Sequence, residues 1–174
     1  MLFRSVEDHA ITRIRTFTAN CPLDAGGKAV HWFNGVSVAF MKTFMGPNQP
    51  RTLNDSAVTV LALTEGDQPL SELLSIARDG STSTIKGSAL FWLAQRAGQK
   101  AVGTITAAIE NDPDTKVKEK AVFALSQLPK DEGVPLLIQQ ARTNRNPVVR
   151  KQAMFWLGQS NDPRALRFFE EILK

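Results

Sequence analysis

Residues 85–95 read IKGSALFWLAQ, and the same pattern begins again 32 residues later and once more after another 32. The second copy is VKEKAVFALSQ at 117–127, and the third is VRKQAMFWLGQ at 149–159. Alanine, phenylalanine, leucine and glutamine hold their places in all three copies, as Ala89, Ala121 and Ala153; Phe91, Phe123 and Phe155; Leu93, Leu125 and Leu157; Gln95, Gln127 and Gln159. A period of this length indicates stacked units that cannot bury their apolar faces alone.

The same register extends towards both ends of the chain. Leu53, Ala57 and Leu61 stand one period before Ile85, Ala89 and Leu93. A second apolar pattern follows each copy, with spacings of three and four residues: Leu70, Leu73 and Ala77; Val102, Ile105 and Ile109; Val134, Leu137 and Ala141; Leu166, Phe169 and Leu173. These spacings are typical of amphipathic helices. The sequence therefore predicts a mainly α protein with eight helices in four antiparallel pairs over residues 51–174.

Residues 1–50 follow a different pattern. Partial alternation of apolar and polar residues predicts three short strands at Leu2–Val6, Ala10–Thr18 and Lys28–Phe33. Ser37 then precedes a short helix that contains Phe40, Met41, Phe44 and Met45. We expect this segment to cover the first repeat, because the end of a solenoid needs a cap. The unpaired edge of such a sheet invites a second chain, so a homodimer through the N-terminal β edge is one expectation.

Composition narrows the possible classes of protein. The chain has 174 residues, of which 43% are hydrophobic and 22% charged, which suits one globular unit. The net charge is +4, but no dense run of lysine and arginine suggests a nucleic-acid-binding tail. The N-terminus lacks a signal-like apolar region, no apolar run is long enough to cross a bilayer, and Cys21 is the only cysteine. We therefore expect a cytoplasmic protein that contacts no membrane and contains no disulfide.

Within the second copy, one stripe of the predicted helix is apolar. At about 100° per residue, this stripe contains Val117, Ala121, Ala124, Leu125 and Leu128. Small alanines at its centre allow two helix axes to approach closely. Tryptophans replace Ala124 in the sister copies, as Trp92 and Trp156, and their place on the stripe predicts that they belong to the core.

The pattern from Leu53 to Lys174 resembles HEAT repeats, in the short bacterial form also found in phycobilisome-lyase-type proteins. The residues that carry the resemblance are Asp114 to Lys118 and their echo from Asn146 to Arg150. The resemblance implies a right-handed α-solenoid in which the first helix of each pair lines the concave side. It also implies an inter-repeat ladder of acidic and basic residues. The matching bases are Lys86, Lys118 and Arg150, and the matching acid is Asp114. Thr82 and Asn146 replace the acid in the other copies, so the ladder is partial.

Catalytic and metal-binding patterns are scarce in this sequence. His9 and His31 have no second histidine at ligand spacing, and no phosphate-binding glycine loop occurs. Adjacent carboxylates on a helix, such as Glu170 and Glu171, point in diverging directions and do not share a proton readily. We therefore predict no catalytic residue, no metal and no cofactor.

The side of the first helices opposite the apolar stripe is the candidate binding surface. It is predicted to contain Phe91, Phe123 and Phe155 together with Glu119, Lys151, Val122 and Met154. In one interpretation each phenylalanine packs against the neighbouring repeat. In the other, the three form a shallow apolar groove for a peptide or a helix. The glutamines one turn further on have two interpretations as well, namely bonding to loop backbone and contact with a ligand.

Two functions are consistent with this pattern. The first is a non-enzymatic scaffold that binds a protein or peptide partner in its concave groove and has no specific affinity for nucleic acid. The second is a HEAT-type enzyme, such as a DNA alkylpurine glycosylase or a bilin-lyase-like protein; the glycosylases use tryptophans and a carboxylate on such a groove. Exposed tryptophans with an aspartate between them favour the enzyme, whereas a groove of phenylalanine and small residues favours the scaffold. The sequence favours the scaffold.

Overall fold

A computed structural model describes residues 2–3, 6–7, 10–11, 14–16, 21 and 37–174. Within these residues, the short helix α1 (Val38–Lys42) is followed by eight longer helices: α2 (Arg51–Leu63), α3 (Asp67–Asp79), α4 (Ser83–Ala97), α5 (Gln99–Asn111), α6 (Thr115–Ser126), α7 (Lys130–Thr143), α8 (Pro147–Gln159) and α9 (Pro163–Ile172). They form four consecutive pairs, α2 with α3, α4 with α5, α6 with α7 and α8 with α9. The predicted α-solenoid is confirmed.

Side-chain caps fix where several of these helices begin. The side chains of Asp114, Asn146 and Asp162 each accept a hydrogen bond from the backbone N–H two residues later, at 2.8 to 2.9 Å. Proline occupies the first helical position in α8 and α9, where its missing N–H costs nothing. These local signals set the phase of each helix before any tertiary contact forms.

The helices pack in two layers. The first helices of the pairs form a continuous row in which α2 contacts α4, α4 contacts α6 and α6 contacts α8. Each second helix also packs against the first helix of the following pair, as α3 does on α4 and α7 on α8. In the second layer α3 contacts α5 and α7 contacts α9, but any contact between α5 and α7 is slight. The first helices therefore form the closer-packed layer.

The core runs between the layers along the predicted stripe. Val117, Ala121, Ala124 and Leu125 are at most 1% exposed, and Leu128 is also buried. Their equivalents in the neighbouring copies, such as Ile85, Ala89 and Leu157, are buried in the same way. The apolar residues that recur in the sequence are thus the residues that are buried in each repeat.

The N-terminal segment covers the first pair of helices. Four two-residue strands, β1 (Leu2–Phe3), β2 (Val6–Glu7), β3 (Ala10–Ile11) and β4 (Ile14–Arg15), form two antiparallel pairs, β1 with β4 and β2 with β3. Both pairs share one register, that of a single hairpin. Ile14 on β4 is buried, and β4 contacts α2. Helix α1 adds the buried Val38 and Met41 to the same cover. The predicted strand at Lys28–Phe33 lies outside the described residues.

Across the described ranges, no helix combines the length and the apolar character that a membrane span requires. In the part of the chain that the structure describes, two polar residues, Asn54 and Gln140, are buried, and both have hydrogen-bond partners. Asn54, for example, accepts from the backbone N–H of Gly46 at 2.8 Å and donates to the carbonyls of Gly46 and Gln49. These bonds tie the loop after α1 to the start of the first repeat.

Replacing Leu125 by alanine should lower the free energy of unfolding by about 2–5 kcal/mol, because the cavity would lie in a fully buried site between α6 and its neighbours. Urea denaturation followed by circular dichroism measures the change. The matched control is Leu63→Ala on α2, where the leucine is 55% exposed and a loss of about 0.5 kcal/mol or less is expected. Equal losses in the two variants would contradict the register of the core described here.

Candidate functional site

Five aromatic side chains form a continuous row across α4, α6 and α8. The rings of Phe91 and Phe123 are stacked, with centroids 5.8 Å apart and planes 3° from parallel. Phe123 contacts Trp156 at 4.9 Å, Trp156 contacts Phe155 at 4.9 Å, and Phe91 contacts Trp92 at 5.4 Å. We call these five residues the aromatic row. It joins three consecutive repeats. Its phenylalanines lie on the side of the first helices opposite the core stripe, whereas its tryptophans stand at the stripe position that Ala124 occupies in α6.

None of the five side chains in the aromatic row is fully buried. Phe155 is 53% exposed, and the other four are half-buried. The expectation that Trp92 and Trp156 belong to the core is confirmed only in part, because each packs against the core but is half-buried and also contacts a phenylalanine of the row. The physical reason is size: Ala124 is completely covered at the equivalent position, whereas an indole is too large to be covered there.

A row of glutamines runs beside the rings. Gln95, Gln127 and Gln159 each follow a phenylalanine of the row by four residues, which places them one turn along the same helix face. The Nε2 atom of Gln95 donates to Oε1 of Gln127 at 3.4 Å, and Nε2 of Gln127 donates to Oγ of Ser126 at 3.1 Å. Within the described chain the amide of Gln159 makes no hydrogen bond. The expected bonding to loop backbone is therefore replaced by bonds between side chains.

An apolar pocket of about 290 Å³ opens beside this glutamine row, between α6, α7 and α8. Its lining includes four buried side chains, Leu125, Leu128, Val134 and Leu137. Trp156 also lines it, together with the polar Gln127, Gln159 and the exposed Lys130. Its volume is at the lower end of the range for ligand sites, so it suits one bulky side chain rather than a whole small molecule. No sequence pattern predicts this pocket, because its lining residues come from three helices.

Val122 was expected on the binding surface, and the structure corrects that expectation. Val122 is fully buried, as are its equivalents Val58 and Leu90. Met154, the equivalent residue in α8, the first helix of the last pair, is half-buried. The side chain at this position is therefore covered by the first helix of the following pair, and only α8, which has no following pair, leaves it half-buried. A helical wheel with one core direction misses a contact that depends on the neighbouring repeat.

The remaining residues of the predicted surface lie at its edges. Glu119 is half-buried and Lys151 is exposed. Gly87 provides no free space, because the side chain of Lys120 lies over it; a Cβ atom at Gly87 would be 2.1 Å from Cδ of Lys120. Lys120 donates to the carbonyl of Ser83 at 3.1 Å, and burial lowers the pKa of its ammonium group. The open part of the surface therefore lies over α6 and α8, towards Phe155 and the exposed Gly158.

Two of the three basic residues of the expected ladder bind backbone rather than acids. Lys118 donates from Nζ to the carbonyls of Ile109 and Glu110 at 2.8 and 2.7 Å, at the end of α5. Arg150 donates in the same way to the carbonyls of Asn144 and Arg145, at the end of α7. Such bonds satisfy carbonyls that the helix leaves open and oppose the negative end of its dipole.

The acid assigned to the ladder also needs correction. Asp114 caps α6, with its carboxylate on the N–H of Lys116. The acid that pairs with a ladder base is Asp112, whose Oδ2 lies 2.7 Å from Nζ of Lys86, with both side chains largely buried. The two aspartates are separated by one residue, and only the first faces back towards α4.

The protein-family model described as HEAT repeats matches residues 70–153 and again 104–174, so that together the matches cover 70–174. The chain belongs to the HEAT-repeat family. Among curated proteins, none matches the sequence.

The family match covers the three HEAT repeats that carry the aromatic row and begins inside α3. The first pair, α2 with α3, precedes most of the match but packs as a further HEAT-like repeat, since α2 contacts α4 as α4 contacts α6. His9 and His31 lie outside the described residues. In the part of the HEAT-repeat chain that is described, no three histidine, cysteine, aspartate or glutamate residues are grouped as a metal ion requires.

Replacing Lys118 by methionine should destabilise the HEAT stack by about 1–2 kcal/mol, because two carbonyls at the end of α5 lose a charged donor. Methionine keeps most of the apolar stem of the side chain. The control is Lys116→Met two residues earlier, where the lysine is exposed. Thermal and urea unfolding of both variants should show a loss for Lys118 alone; a Lys118 variant as stable as the parent would contradict the capping role.

Proposed function

We propose that this HEAT-repeat protein is a non-enzymatic interaction scaffold that binds a protein partner on the first-helix face of α4, α6 and α8. The observation that carries the proposal is the aromatic row, in which five rings in mutual contact are left partly exposed. The first helices form the closer-packed layer. In a curved stack the closer layer lies on the concave side, the surface that solenoids use for binding.

Energetics supports this use of the row. Tryptophan and other aromatic side chains supply much of the affinity at protein interfaces, because they bury a large rigid area at a low cost in conformational entropy. Phe155 is 53% exposed, and a partner that covered it would remove that apolar surface from water. The half-buried rings beside it would lose their remaining water at the same time.

Packing between neighbouring repeats explains the position of some of the rings in the aromatic row. Phe91 stacks on Phe123 and Phe123 contacts Trp156, so these rings hold neighbouring repeats together. Phe155 contacts only Trp156 on its own helix among the described aromatic rings. Its exposure is therefore the part of the row that packing does not explain, and it is the best single position for a test.

The identity of the residues between the tryptophans supports the scaffold over a HEAT-type glycosylase. Phe123 and Ala124 occupy α6 between Trp92 and Trp156, and Phe123 contacts Trp156 directly. A groove of the enzymatic kind needs a carboxylate at that place to act on a bound base. Here the space holds a phenyl ring.

Replacing Phe155 by serine should reduce capture of the partner at least about 30-fold, the effect of losing an interface hot spot. The fold should remain, because the ring is more than half exposed. The measurement is a quantitative pull-down from the native host with mass spectrometry, next to a thermal melt. The matched control is Leu63→Ser, on the exposed end of α2. A protein whose capture is unchanged by Phe155→Ser and reduced by Leu63→Ser would contradict the proposal, as would unfolding of the Phe155 variant.

The triple variant Phe91→Ser, Phe123→Ser and Phe155→Ser extends the same test. It should abolish capture of the partner with the helical signal largely kept, at a lower melting temperature because two stacked rings are lost. Loss of the helical signal would assign the row to the core and contradict the groove.

Specific binding to duplex DNA should be absent. The bases that line up along the repeats, Lys118 and Arg150, are already engaged with backbone carbonyls, so they offer no phosphate track. Fluorescence anisotropy with random and mixed-sequence duplexes should show weak binding at most, and that binding should disappear as salt rises. Tight, sequence-dependent binding at physiological salt would overturn the assignment of a protein partner.

A further inference from the structure

We infer that the partner binds through an acidic segment, whose carboxylates lie beside its apolar contact residues and pair with Lys116, Lys120 and Lys151. We call these three lysines the basic band. The inference rests on the proposed function, since it concerns the face of α4, α6 and α8 that holds the phenylalanines of the aromatic row. It adds the chemistry of the partner, namely a stretch in which aspartate or glutamate stands next to aromatic or aliphatic residues.

The charges of these three first helices are unbalanced. Together α4, α6 and α8 contain seven basic residues and one acidic residue, Glu119. Four of the bases are already bound within the stack, one to an aspartate and three to backbone carbonyls at helix ends: Lys86, Arg96, Lys118 and Arg150. The other three form the basic band. None of the three forms an ion pair within the described part of the chain.

The basic band lies on the same face as the phenylalanines. At about 100° per residue, Lys116 and Lys120 project within about 60° of Phe123 around the axis of α6. On α8, Lys151 projects within about 60° of Phe155. Each of the four bound bases is five residues from the phenylalanine of its own helix, which places it about 140° away. The bound bases are therefore directed towards neighbouring elements, and the unpaired bases lie beside the rings.

Lys120 shows that the charge of the basic band is not satisfied within the chain. Its side chain lies over Gly87 of α4, and its Nζ donates to the carbonyl of Ser83 at 3.1 Å. An ammonium group has three donors, and this is the one bond that Lys120 makes to described residues. Burial lowers the pKa of the ammonium group, and the positive charge of Arg51 lowers that pKa further. A partner carboxylate would supply an acceptor and an opposite charge where water is partly excluded and such a pair is stronger.

The acids near Lys120 are bound to other groups. The carboxylate of Asp55 accepts a hydrogen bond from Oγ of Ser88 at 2.7 Å, and its second oxygen lies 3.6 Å from Nε of Arg51. The carboxylate of Asp114 caps α6. Both aspartates act on Lys120 only from a distance. The surface therefore keeps a positive charge that an acidic partner complements.

The arrangement favours separate carboxylates over the continuous charge of a nucleic acid. Glu119 projects about 40° from Phe123 around α6, so it interrupts the basic band on the same face. A nucleic-acid backbone carries a charge at every phosphate and would meet this carboxylate. The basic band also consists of lysines, whereas arginine provides the bidentate geometry that suits phosphate. A protein segment places its acids at the lysines and a neutral residue at Glu119.

The rings beside the basic band define the apolar part of the segment. Lys151 precedes Phe155 by four residues and Lys120 precedes Phe123 by three, so a charge and a ring are neighbours on both helices. Phe155 is 53% exposed and is the ring that a partner would cover most. A segment that contacts both groups needs an acidic residue next to an apolar one.

Selection from a library of short random peptides tests this chemistry without assuming a sequence. A phage-displayed library is selected on the immobilised full chain and, in parallel, on the double variant Lys120→Met, Lys151→Met. Clones enriched on the parent chain should carry aspartate or glutamate next to aromatic or aliphatic residues, and the excess of acids should be lost on the double variant. Enrichment of neutral or basic clones, the same acidic clones on both chains, or no enrichment overturns the inference.

Isothermal titration calorimetry then measures the contribution of the acids. The most enriched peptide is compared with a copy in which asparagine and glutamine replace aspartate and glutamate, which keeps the shape and removes the charge. The neutral copy should bind at least about tenfold more weakly, as expected when charge-assisted hydrogen bonds are lost. The affinity of the acidic peptide should fall as salt rises. Equal affinities of the two peptides overturn the inference.

Single variants locate the contacts. Lys120→Met and Lys151→Met should each weaken binding of the acidic peptide about three- to tenfold. The control is Lys100→Met on α5, where the lysine is exposed and lies off this face, and it should leave the affinity unchanged. Variants of the basic band that bind like the parent chain overturn the pairing. A thermal melt checks the fold of each variant, and the exposed position of Lys151 keeps the test valid if Lys120→Met is unstable.

A charge swap distinguishes an ion pair from a loss of packing. Lys151→Glu should bind the acidic peptide more weakly than the parent chain does. It should also bind more tightly than the parent chain to a peptide copy in which lysine replaces the paired acid, since an attractive pair is restored. A Lys151→Glu chain that still prefers the acidic peptide overturns the inference.

The same measurements separate the two proposals. If Phe155→Ser abolishes capture of the cellular partner, but the lysine variants leave capture unchanged and the library gives no acidic clones, the scaffold stands and the acidic segment fails. If Phe155→Ser leaves capture unchanged, the proposed function itself fails. Single-stranded RNA and vesicles of phosphatidylcholine with phosphatidylserine serve as competitors. Binding of either one in preference to the acidic peptide would overturn a protein partner for this face.

Discussion

The structure depends on burial that no repeat achieves alone. One position of the first helices is fully buried in three repeats, as Val58, Leu90 and Val122. In α8, the first helix of the last pair, the equivalent Met154 is half-buried. Each first helix thus needs the next one to remove its apolar side from water, and stability is shared between neighbours along the stack. Lys118 and Arg150 strengthen the same junctions by capping the preceding second helices. This constraint fixes the spacing and the orientation of every repeat.

Because the spacing between repeats is fixed, a residue that recurs in every repeat forms a line of equivalent side chains along the surface. Because the first helices lie side by side in one register, a phenylalanine kept at one position becomes a line of rings, two of which are stacked, and a glutamine one turn later becomes a line of amides. Departures from the repeat create the local features. Trp156 stands where α6 has Ala124, and its indole forms a wall of the apolar pocket. The candidate site is therefore a direct product of the architecture.

The sequence predicted the helix pairs, the buried stripe and the alignment of Phe91, Phe123 and Phe155, because all three follow from periodicity. It misplaced Val122, since a helical wheel assumes one core direction while a solenoid helix is covered from its neighbours as well. It placed Trp92 and Trp156 in the core, where they are only half-buried, since pattern alone does not show how much space is left for an indole. The resemblance named Asp114 as the acid of the ladder, whereas Asp112 forms the ion pair with Lys86, because the path of the turn decides which aspartate faces α4.

Site-specific photo-crosslinking tests the central claim most directly. A benzophenone amino acid is introduced at position 155, on the aromatic row, or at position 63, on an equally exposed apolar site of α2. The crosslinked products are identified from the native host. We predict a defined protein attached at position 155, and not at position 63. The same set of proteins at both positions, or none at position 155, would contradict it.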